Sequence, residues 1–178
     1  HRFSDDLMAY VSFGQGYKSG GFNGEVANNV THYQDEGLFR AETVDAWEAG
    51  VKGALGDTFT FEAAAFWQDY EAPQARIFVA FPLPGGGAIT SISLSNLDAA
   101  TVTGAEASAL WRPYDGFEIG AGVVALDTEI DQTTNPPGGT NVATFDGNPL
   151  PFASDFSATL HARHEWTLAP DMRLALEL

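Results

Sequence analysis

Apolar and polar residues alternate with a period of two along most of the chain. In the first such stretch Leu7, Ala9, Val11 and Phe13 share one face, and mostly polar or small residues occupy the other. Strict alternation indicates strands with one apolar face, and almost nothing in the chain has the 3.6-residue period of a helix. The alternating segments are Leu7–Lys18, Thr43–Leu55, Phe59–Phe81, Ile89–Arg112, Phe117–Glu129 and Phe156–Leu168, with a seventh beginning at Arg173. The pattern predicts an all-β, antiparallel fold of about seven strands.

The polar face of these strands combines charged and very small residues. Glu48, Gly50 and Lys52 alternate on one predicted strand, and Glu118, Gly120 and Gly122 on another. The solvent face of a soluble sandwich would carry more Lys, Thr and Arg. This mixture is what we expect of a water-filled barrel interior crowded with other protein.

The connections between the predicted strands alternate in length. The short ones carry the Asp, Gly and Pro that tight turns require. They are Gly56–Thr58, Pro113–Gly116 and Ala169–Asp171, whereas the long ones are Ser19–Glu42, Asp131–Asp155 and a shorter connection around Pro82–Ala88. This sorting is typical of a transmembrane barrel with short periplasmic turns and long extracellular loops.

The four tryptophans give an independent indication of a membrane. All fall on the apolar face, Trp111 and Trp166 near the short turns and Trp47 and Trp67 near the opposite strand ends. From Phe59 to Trp67 a strand rises about 26 Å. Tilted by about 40°, it spans roughly 20 Å, close to the apolar band of such barrels. Aromatic rings at both edges would be the girdles of the two interfaces. The alternative is that these tryptophans form the core of a soluble sheet.

Composition narrows the classes of partner. The chain has 178 residues, a net charge of −16 and no cysteine. Nucleic acid is therefore not an expected partner, and neither disulfides nor thiolate metal sites are available. No apolar run reaches the length of a transmembrane helix. The chain begins with His1 and ends within an alternating stretch. We therefore expect it to be part of a longer protein.

The glycine-rich stretch FGQGYKSGGFNG, Phe13–Gly24, raises the question of a phosphate-binding loop. A P-loop requires glycine directly before its lysine, and here Tyr17 precedes Lys18. The dinucleotide pattern G-x-G-x-x-G also fails, because Ser19 occupies its last glycine position. No helix pattern follows, so nucleotide binding is not predicted.

Five stretches in order resemble TonB-dependent outer-membrane receptors, most closely those of the ferric-siderophore type. They are YVSFGQGYKSGGFNG (Tyr10–Gly24), ETVDAWEAGVKG (Glu42–Gly53), AAFWQDYEAPQ (Ala64–Gln74), NLDAATVTGAEASALWRP (Asn96–Pro113) and GNPLPFASDFSATL (Gly147–Leu160). The resemblance implies a barrel of 22 strands plugged by an N-terminal domain, importing a scarce ligand with energy relayed by TonB. Residues 1–178 would then be a C-terminal fragment of the barrel, without the plug.

The resemblance also implies the partners and the location of the chain. The partners are a ferric siderophore or similar small ligand, TonB through the missing N-terminal part, and outer-membrane lipid. The location is the outer membrane of a Gram-negative bacterium, and no cofactor is expected. Two alternatives from other classes remain: a free-standing structural or adhesive outer-membrane barrel, and a soluble β-rich binding domain.

The same resemblance suggests a role for the glycines. We expect Gly14 and Gly16 to line the interior, where a side chain would collide with the plug or with a neighbouring strand. We expect Gly20, Gly21 and Gly24 to open an extracellular loop.

Several charged residues have candidate roles. Asp127, Glu129 and Asp131 share one strand face and either bind a divalent ion or form a solvated acidic loop base, and Asp35 with Glu36 pose the same choice. A strand places His161 and His164 on opposite faces, so they cannot share a metal, and His32 stands alone in a loop. We expect Lys52 to pair with Glu62, and Arg112 with Glu118, across tight turns.

Catalysis is not predicted. The chain lacks a G-x-S-x-G elbow, and nothing places two of the strand glutamates Glu48, Glu62 and Glu106 at a defined separation. Ligand could touch aromatic and amide side chains of the long loops, or these could merely pack among neighbouring loops. They are Phe22, Asn23, Asn28, Asn29, His32, Tyr33, Phe39, Asn135, Asn141, Phe145 and Asn148. No ligand-binding residue is singled out among them.

Overall fold

The computed structural model describes residues 1–22, 38–83, 85–133, 140–141 and 144–178. Within them every regular element is a strand. The strands are β1 Arg2–Ser4, β2 Leu7–Lys18, β3 Gly21–Phe22, β4 Leu38–Phe39, β5 Glu42–Leu55, β6 Phe59–Glu71, β7 Gln74–Pro82, β8 Ala88–Asn96, β9 Ala99–Tyr114, β10 Phe117–Gln132, β11 Thr140–Asn141, β12 Phe156–Ala169 and β13 Met172–Glu177. No helix in this part of the chain is long and apolar enough to cross a membrane.

The long strands form one antiparallel sheet, which confirms the predicted fold class. Its order is β1-β2-β5-β6-β9-β10-β12-β13, and two smaller sheets have the orders β11-β7-β8 and β3-β4. Eight described strands thus belong to the main sheet, against about seven predicted, because Arg2–Ser4 adds a short edge strand. The predicted short turns all lie at one end of this sheet, the lower end, and the strand ends that flank the long connections lie at the upper end.

The prediction of uninterrupted strands over Phe59–Phe81 and Ile89–Arg112 is wrong. Both break near the upper end, between β6 and β7 and between β8 and β9. Ala72 has a φ of 53°, unfavourable for a residue with a Cβ, and Pro73 cannot donate to a ladder. Two backbone hydrogen bonds, from Ala72 N to Asp98 O at 2.8 Å and from Leu97 N to Pro73 O at 2.9 Å, keep the two segments paired across the break. β7 and β8 therefore form a hairpin above the sheet, with the connection around Pro82–Ala88 as its tip.

Cross-strand register places the aromatic residues of the apolar face in rows. Phe13 lies opposite Trp47, with ring centroids 4.5 Å apart, and Trp47 lies opposite Trp67. These three residues form the upper aromatic row. Near the lower end Trp111 lies opposite Phe59. Trp166 lies opposite Leu174 nearby. The predicted clustering of tryptophans at opposite strand ends is therefore confirmed.

Between these rows the apolar face is covered by nothing in the described chain. Val11 is 74% exposed and Leu160 is 72% exposed. The other face of the sheet carries the polar residues, as the alternation predicts. Most of the buried apolar residues instead lie at the upper end, where Ile77 and Val79 of β7 pack against Phe145. Within the described residues the main sheet has no second layer to pack on, so its stability must come from what surrounds it.

Candidate functional site

The polar face, here called the inner face, carries cross-strand ion pairs near its lower end. Lys52 Nζ lies 3.0 Å from Glu62 Oε2, and Ser108 Oγ donates to the other oxygen of Glu62 at 3.2 Å. Arg112 lies 2.6 Å from Glu118. Both predicted pairs are confirmed, because a short turn places the residues that flank it opposite each other.

A second group of charges extends this network to the next two strands. Arg163 and Arg173 contact the two carboxylate oxygens of Glu165 at 3.1 and 3.0 Å. His161 Nε2 lies 3.6 Å from the second oxygen of Glu118. The lower inner face is therefore a nearly continuous line of opposite charges. All of these groups are partly exposed, so solvent screens the pairs.

At mid-height the inner face is acidic and less well paired. The Tyr10 hydroxyl donates to Glu48 at 2.6 Å. Glu106 lines a shallow cavity of about 180 Å³, together with Glu62, Ser108, Gly122 and Thr159. In the part of the chain that the structure describes, neither Glu48 nor Glu106 has a cation within salt-bridge distance. The surface is polar, small-featured and open, which suits a passage or a docked domain.

The predicted reason for the first strand's glycines holds only in part. Gly14 and Gly16 belong to the inner face of β2, as expected. A Cβ built at Gly16 would lie 3.1 Å from the Val44 side chain, so a neighbouring strand does approach there. A Cβ at Gly14 would meet nothing within 4 Å, so no neighbouring strand requires glycine at that position. Collision with a plug remains a prediction. Gly20 and Gly21 follow the end of β2, whereas Gly24 lies outside the described residues.

Two amide side chains join the upper end of the sheet to the β7–β8 hairpin. Asn96 Oδ1 accepts from the Arg40 backbone N–H at 2.6 Å, and Asn96 Nδ2 donates to the carbonyls of Arg40 and Ala72 at 3.1 and 2.7 Å. Gln74 Nε2 donates to the carbonyls of Ser19 and Arg40 at 2.9 and 3.1 Å. We call Gln74, Asn96 and their partners the upper junction. The periodicity of the sequence did not point to it, because its members come from segments far apart in the chain.

The described loop residues divide by environment. The Phe39 side chain would meet a Cβ placed at Gly21, and Phe22 is half exposed. Phe145 packs on the hairpin core. The backbone N–H of Asn148 donates to Phe145 O, and its carbonyl accepts from Ile130 N. Asn141 lies in β11. A ligand role for these residues stays a prediction. The remaining candidates, Asn23, Asn28, Asn29, His32, Tyr33 and Asn135, lie outside the described residues, as do Asp35 and Glu36.

The candidate metal residues that the structure describes do not assemble into a site. Asp131 Oδ2 accepts from Thr101 Oγ1 at 2.9 Å on the face that also carries Asp127 and Glu129. His161 lies beside Glu118 on the inner face, and His164 lies 4.1 Å from the ring of Trp166 on the other face. Within the described ranges no group of three or more His, Cys, Asp or Glu is arranged to hold a metal ion.

The fold matches a family of known proteins. The family model described as TonB dependent receptor-like, beta-barrel, matches residues 1–175. The ferric yersiniabactin uptake receptor FyuA from Yersinia pestis is 23% identical, with a TM-score of 0.68, over 98% of this chain and 23% of that chain. The siderophore receptor PiuA from Acinetobacter baumannii is 20% identical, with a TM-score of 0.65, over 99% and 24%. The copper transporter OprC is 11% identical, with a TM-score of 0.56, over 98% and 31%.

The similar proteins carry different cargoes, so the comparisons do not identify the cargo of this chain. The chain spans about a quarter of the length of the two siderophore receptors. At such low identities the structural matches show a shared fold alone. The family match, in contrast, covers nearly the whole chain. The chain therefore belongs to the TonB-dependent receptor family, as part of its β-barrel domain.

Proposed function

We propose that this chain forms part of the wall of an outer-membrane transporter that imports a bulky, scarce ligand with energy relayed by TonB. The observation that carries the proposal is the two-faced sheet. One face is apolar and is bounded by aromatic rows at both ends, and the other is lined with paired charges and small residues. A wall between lipid and an aqueous lumen has this character. The family consists of receptors and transporters rather than enzymes.

The rest of the protein would supply the remaining wall and the plug. Among the described residues, strands β1 and β13 are the edges of the main sheet, and each pairs with a strand on one side only. Such edges carry unpaired backbone groups that need a partner in a stable barrel. Residues 1–178 would therefore be a barrel fragment that closes with strands outside this chain, and TonB would act through the part that contains the plug.

A ferric siderophore is the favoured cargo. Two of the similar receptors are named for siderophore uptake, and the five sequence stretches resemble that type most closely. The similarity to a copper transporter makes a copper complex the cargo to compare against. The lower inner face, with its alternating charges, would present a hydrated surface to either cargo.

The test is uptake by the full-length receptor in a Gram-negative host that lacks its own siderophore receptors. We expect accumulation of ⁵⁵Fe supplied as one member of a panel of ferric siderophores. Accumulation should saturate with concentration and should disappear in an otherwise identical host without TonB. A ⁶⁴Cu panel serves as the matched cargo control. Accumulation of copper without iron would show that the cargo is a copper complex and would reject a ferric siderophore.

The alternatives give different results in the same cells. A structural or adhesive barrel would fractionate with the outer membrane but would import none of the complexes, and deletion of TonB would change nothing. A soluble β-rich binding domain would be released without detergent. Either result would overturn the transporter proposal.

A further inference from the structure

A tight turn at the upper end of the sheet, formed by residues 150–153, carries an unusual residue. The backbone N–H of Ala153 donates to Leu150 O at 3.4 Å, and Pro151 occupies the second position, which its fixed φ favours. Phe152, at the third position, has a φ of 64°. Turns with a positive φ at this position usually have glycine or asparagine there, because a bulky side chain strains the backbone.

The Phe152 side chain does not compensate for this strain by packing. It is 107% exposed, so nothing in the described chain covers the ring. Among the described residues one other non-glycine residue, Ala72, has a positive φ, and it is buried and bonded to Asp98 across the strand break. A strained residue that the fold itself does not use is typical of sites that contact a ligand.

The turn is fixed on the inner side of β10. Leu150 N donates to Thr128 Oγ1 at 3.0 Å. Alternation along β10 places Thr128 on the inner face, so the turn is displaced from the sheet towards that face. Two backbone hydrogen bonds of 2.9 Å hold the chain on either side of the turn: Ile130 N to Asn148 O, and Leu126 N to Asp155 O. The ring is therefore presented on a fixed backbone.

Register places this turn where the lumen of the proposed barrel opens. Trp67 of the upper aromatic row lies opposite Thr103, and Thr103 lies opposite Asp127. Thr128 is the next residue along β10, so the turn stands at the upper edge of the apolar band, on the face that does not meet lipid. A cargo that enters from outside would pass this level on its way into the lumen.

The chemistry of the exposed ring limits what it can recognise. A phenyl ring offers a flat apolar surface and no hydrogen-bonding group. In a chelated metal ion the donor atoms face the metal, so the aromatic and hydrocarbon parts of the chelator form the outer surface of the complex. A ring on a fixed backbone also loses little conformational entropy when such a surface packs against it.

We propose that Phe152 is a specificity-determining residue of the receptor, and that its ring packs on an aromatic ring of the chelator around the imported metal ion. This inference rests on the proposed transport function. It adds to that function the residue that distinguishes aromatic chelators from chelators without rings.

The experiment compares Phe152→Asn with wild type in the full-length receptor purified in detergent. Asparagine tolerates a positive φ but lacks the ring. Isothermal titration with the ferric complexes of the uptake panel measures Kd for aromatic catecholate chelators and for hydroxamate chelators without rings. We expect Phe152→Asn to weaken binding of an aromatic complex about tenfold, the effect of losing one ring contact, and Phe152→Tyr to restore it.

Stability separates a ring that contacts cargo from a ring that packs on the protein. Phe152→Asn should unfold in urea at the same or a higher midpoint than wild type, because the substitution relieves backbone strain. Tyr17→Asn is the control, because it removes a ring that is 79% exposed at the same end of the sheet but on the outward face. Its Kd should equal that of wild type.

The outcomes that would overturn the inference are distinct. Equal Kd for wild type and Phe152→Asn would reject the role of Phe152 and leave the transport proposal intact. A lower urea midpoint for Phe152→Asn would show that the ring packs on the plug or a neighbouring loop instead. Binding of ring-free complexes only would reject the aromatic chelator. A wild-type receptor that binds no complex of the panel would reject the transport proposal and this inference with it.

Discussion

Several strand glycines in this protein lie under rings contributed by the directly opposed residue. Gly50 faces Tyr10, and Gly104 faces Phe66, on the inner face of the sheet. A Cβ at Gly50 would lie 2.6 Å from the Tyr10 ring. On the apolar face the Phe61 ring covers Gly53 in the same way. Glycine therefore lets an aromatic side chain lie flat across the neighbouring strand, which explains glycine in strands better than backbone freedom does.

This close approach predicts a cost for alanine at Gly104 that a glycine with open space beside it does not share. A Cβ at Gly104 would lie 2.5 Å from Phe66 and 2.8 Å from Leu126, so Gly104→Ala should destabilise the full-length receptor by about 1–3 kcal/mol through overpacking. Gly85→Ala, near the tip of the β7–β8 hairpin, is the control, because nothing lies within 4 Å of its added methyl. Urea unfolding of the receptor in vesicles measures the stability of both variants. Equal midpoints for the two variants would contradict the close-packing explanation.

At the scale of elements, the β7–β8 hairpin is attached to the sheet through few residues. The ladder breaks at Ala72 and Pro73, and the upper junction holds the hairpin against the segment around Arg40. Asn96 alone supplies three of these bonds, two to Arg40 and one to Ala72. The hairpin's own core, with Val79 at its centre, is separate from the sheet.

Loss of the Asn96 amide should therefore loosen the hairpin more than the barrel. Asn96→Ala removes three hydrogen bonds, each of which contributes about 0.5–1.5 kcal/mol to the stability of the attached hairpin. We expect faster hydrogen exchange over residues 74–96 in the full-length receptor, with little change in β5 and β6. The control is Thr90→Ala, an exposed hairpin position. If Asn96→Ala and Thr90→Ala exchange at the same rate over the hairpin, the upper junction does not hold it.

At the scale of the whole molecule, the proposed barrel wall places the two faces of the sheet in different solvents. Ala107 lies on the apolar face between Ala63 and Val123, near the middle of the band. Its neighbour Ser108 lies on the inner face and donates to Glu62. In the proposed barrel wall these two adjacent residues of one strand would face lipid and lumen respectively. The same substitution made at each position therefore tests the two environments separately.

Arginine at these two positions should give opposite outcomes. Ala107→Arg places a charge near the bilayer midplane and should cost about 2–4 kcal/mol of stability in vesicles. Ser108→Arg adds the same group beside Glu62 and Glu106 and should cost little, because acids face it. Urea titrations of the full-length receptor folding into phospholipid vesicles measure the stability of both variants. Similar losses at Ala107 and Ser108 would argue against a lipid-facing outer surface.

The local parts of the fold were predictable from the sequence. Period-two alternation determines which residues share a face, and short turns determine which residues oppose each other beside them. The pairs Lys52–Glu62 and Arg112–Glu118 and the placement of Trp111 near a turn follow from these two rules alone. The break at Ala72 did not follow, since alternation continues through it and only the proline next to it offered a signal.

What the sequence by itself determined is a strand-rich chain with an apolar face, a polar face and loops sorted by length. The tertiary structure decided which distant segments meet: Asn96 with Arg40, Phe145 with Val79, and Leu150 with Thr128. The physical reason is the range of the forces that set each feature. Alternation and turn geometry act over a few residues, whereas contacts across long loops depend on which of many loop closures buries the most surface.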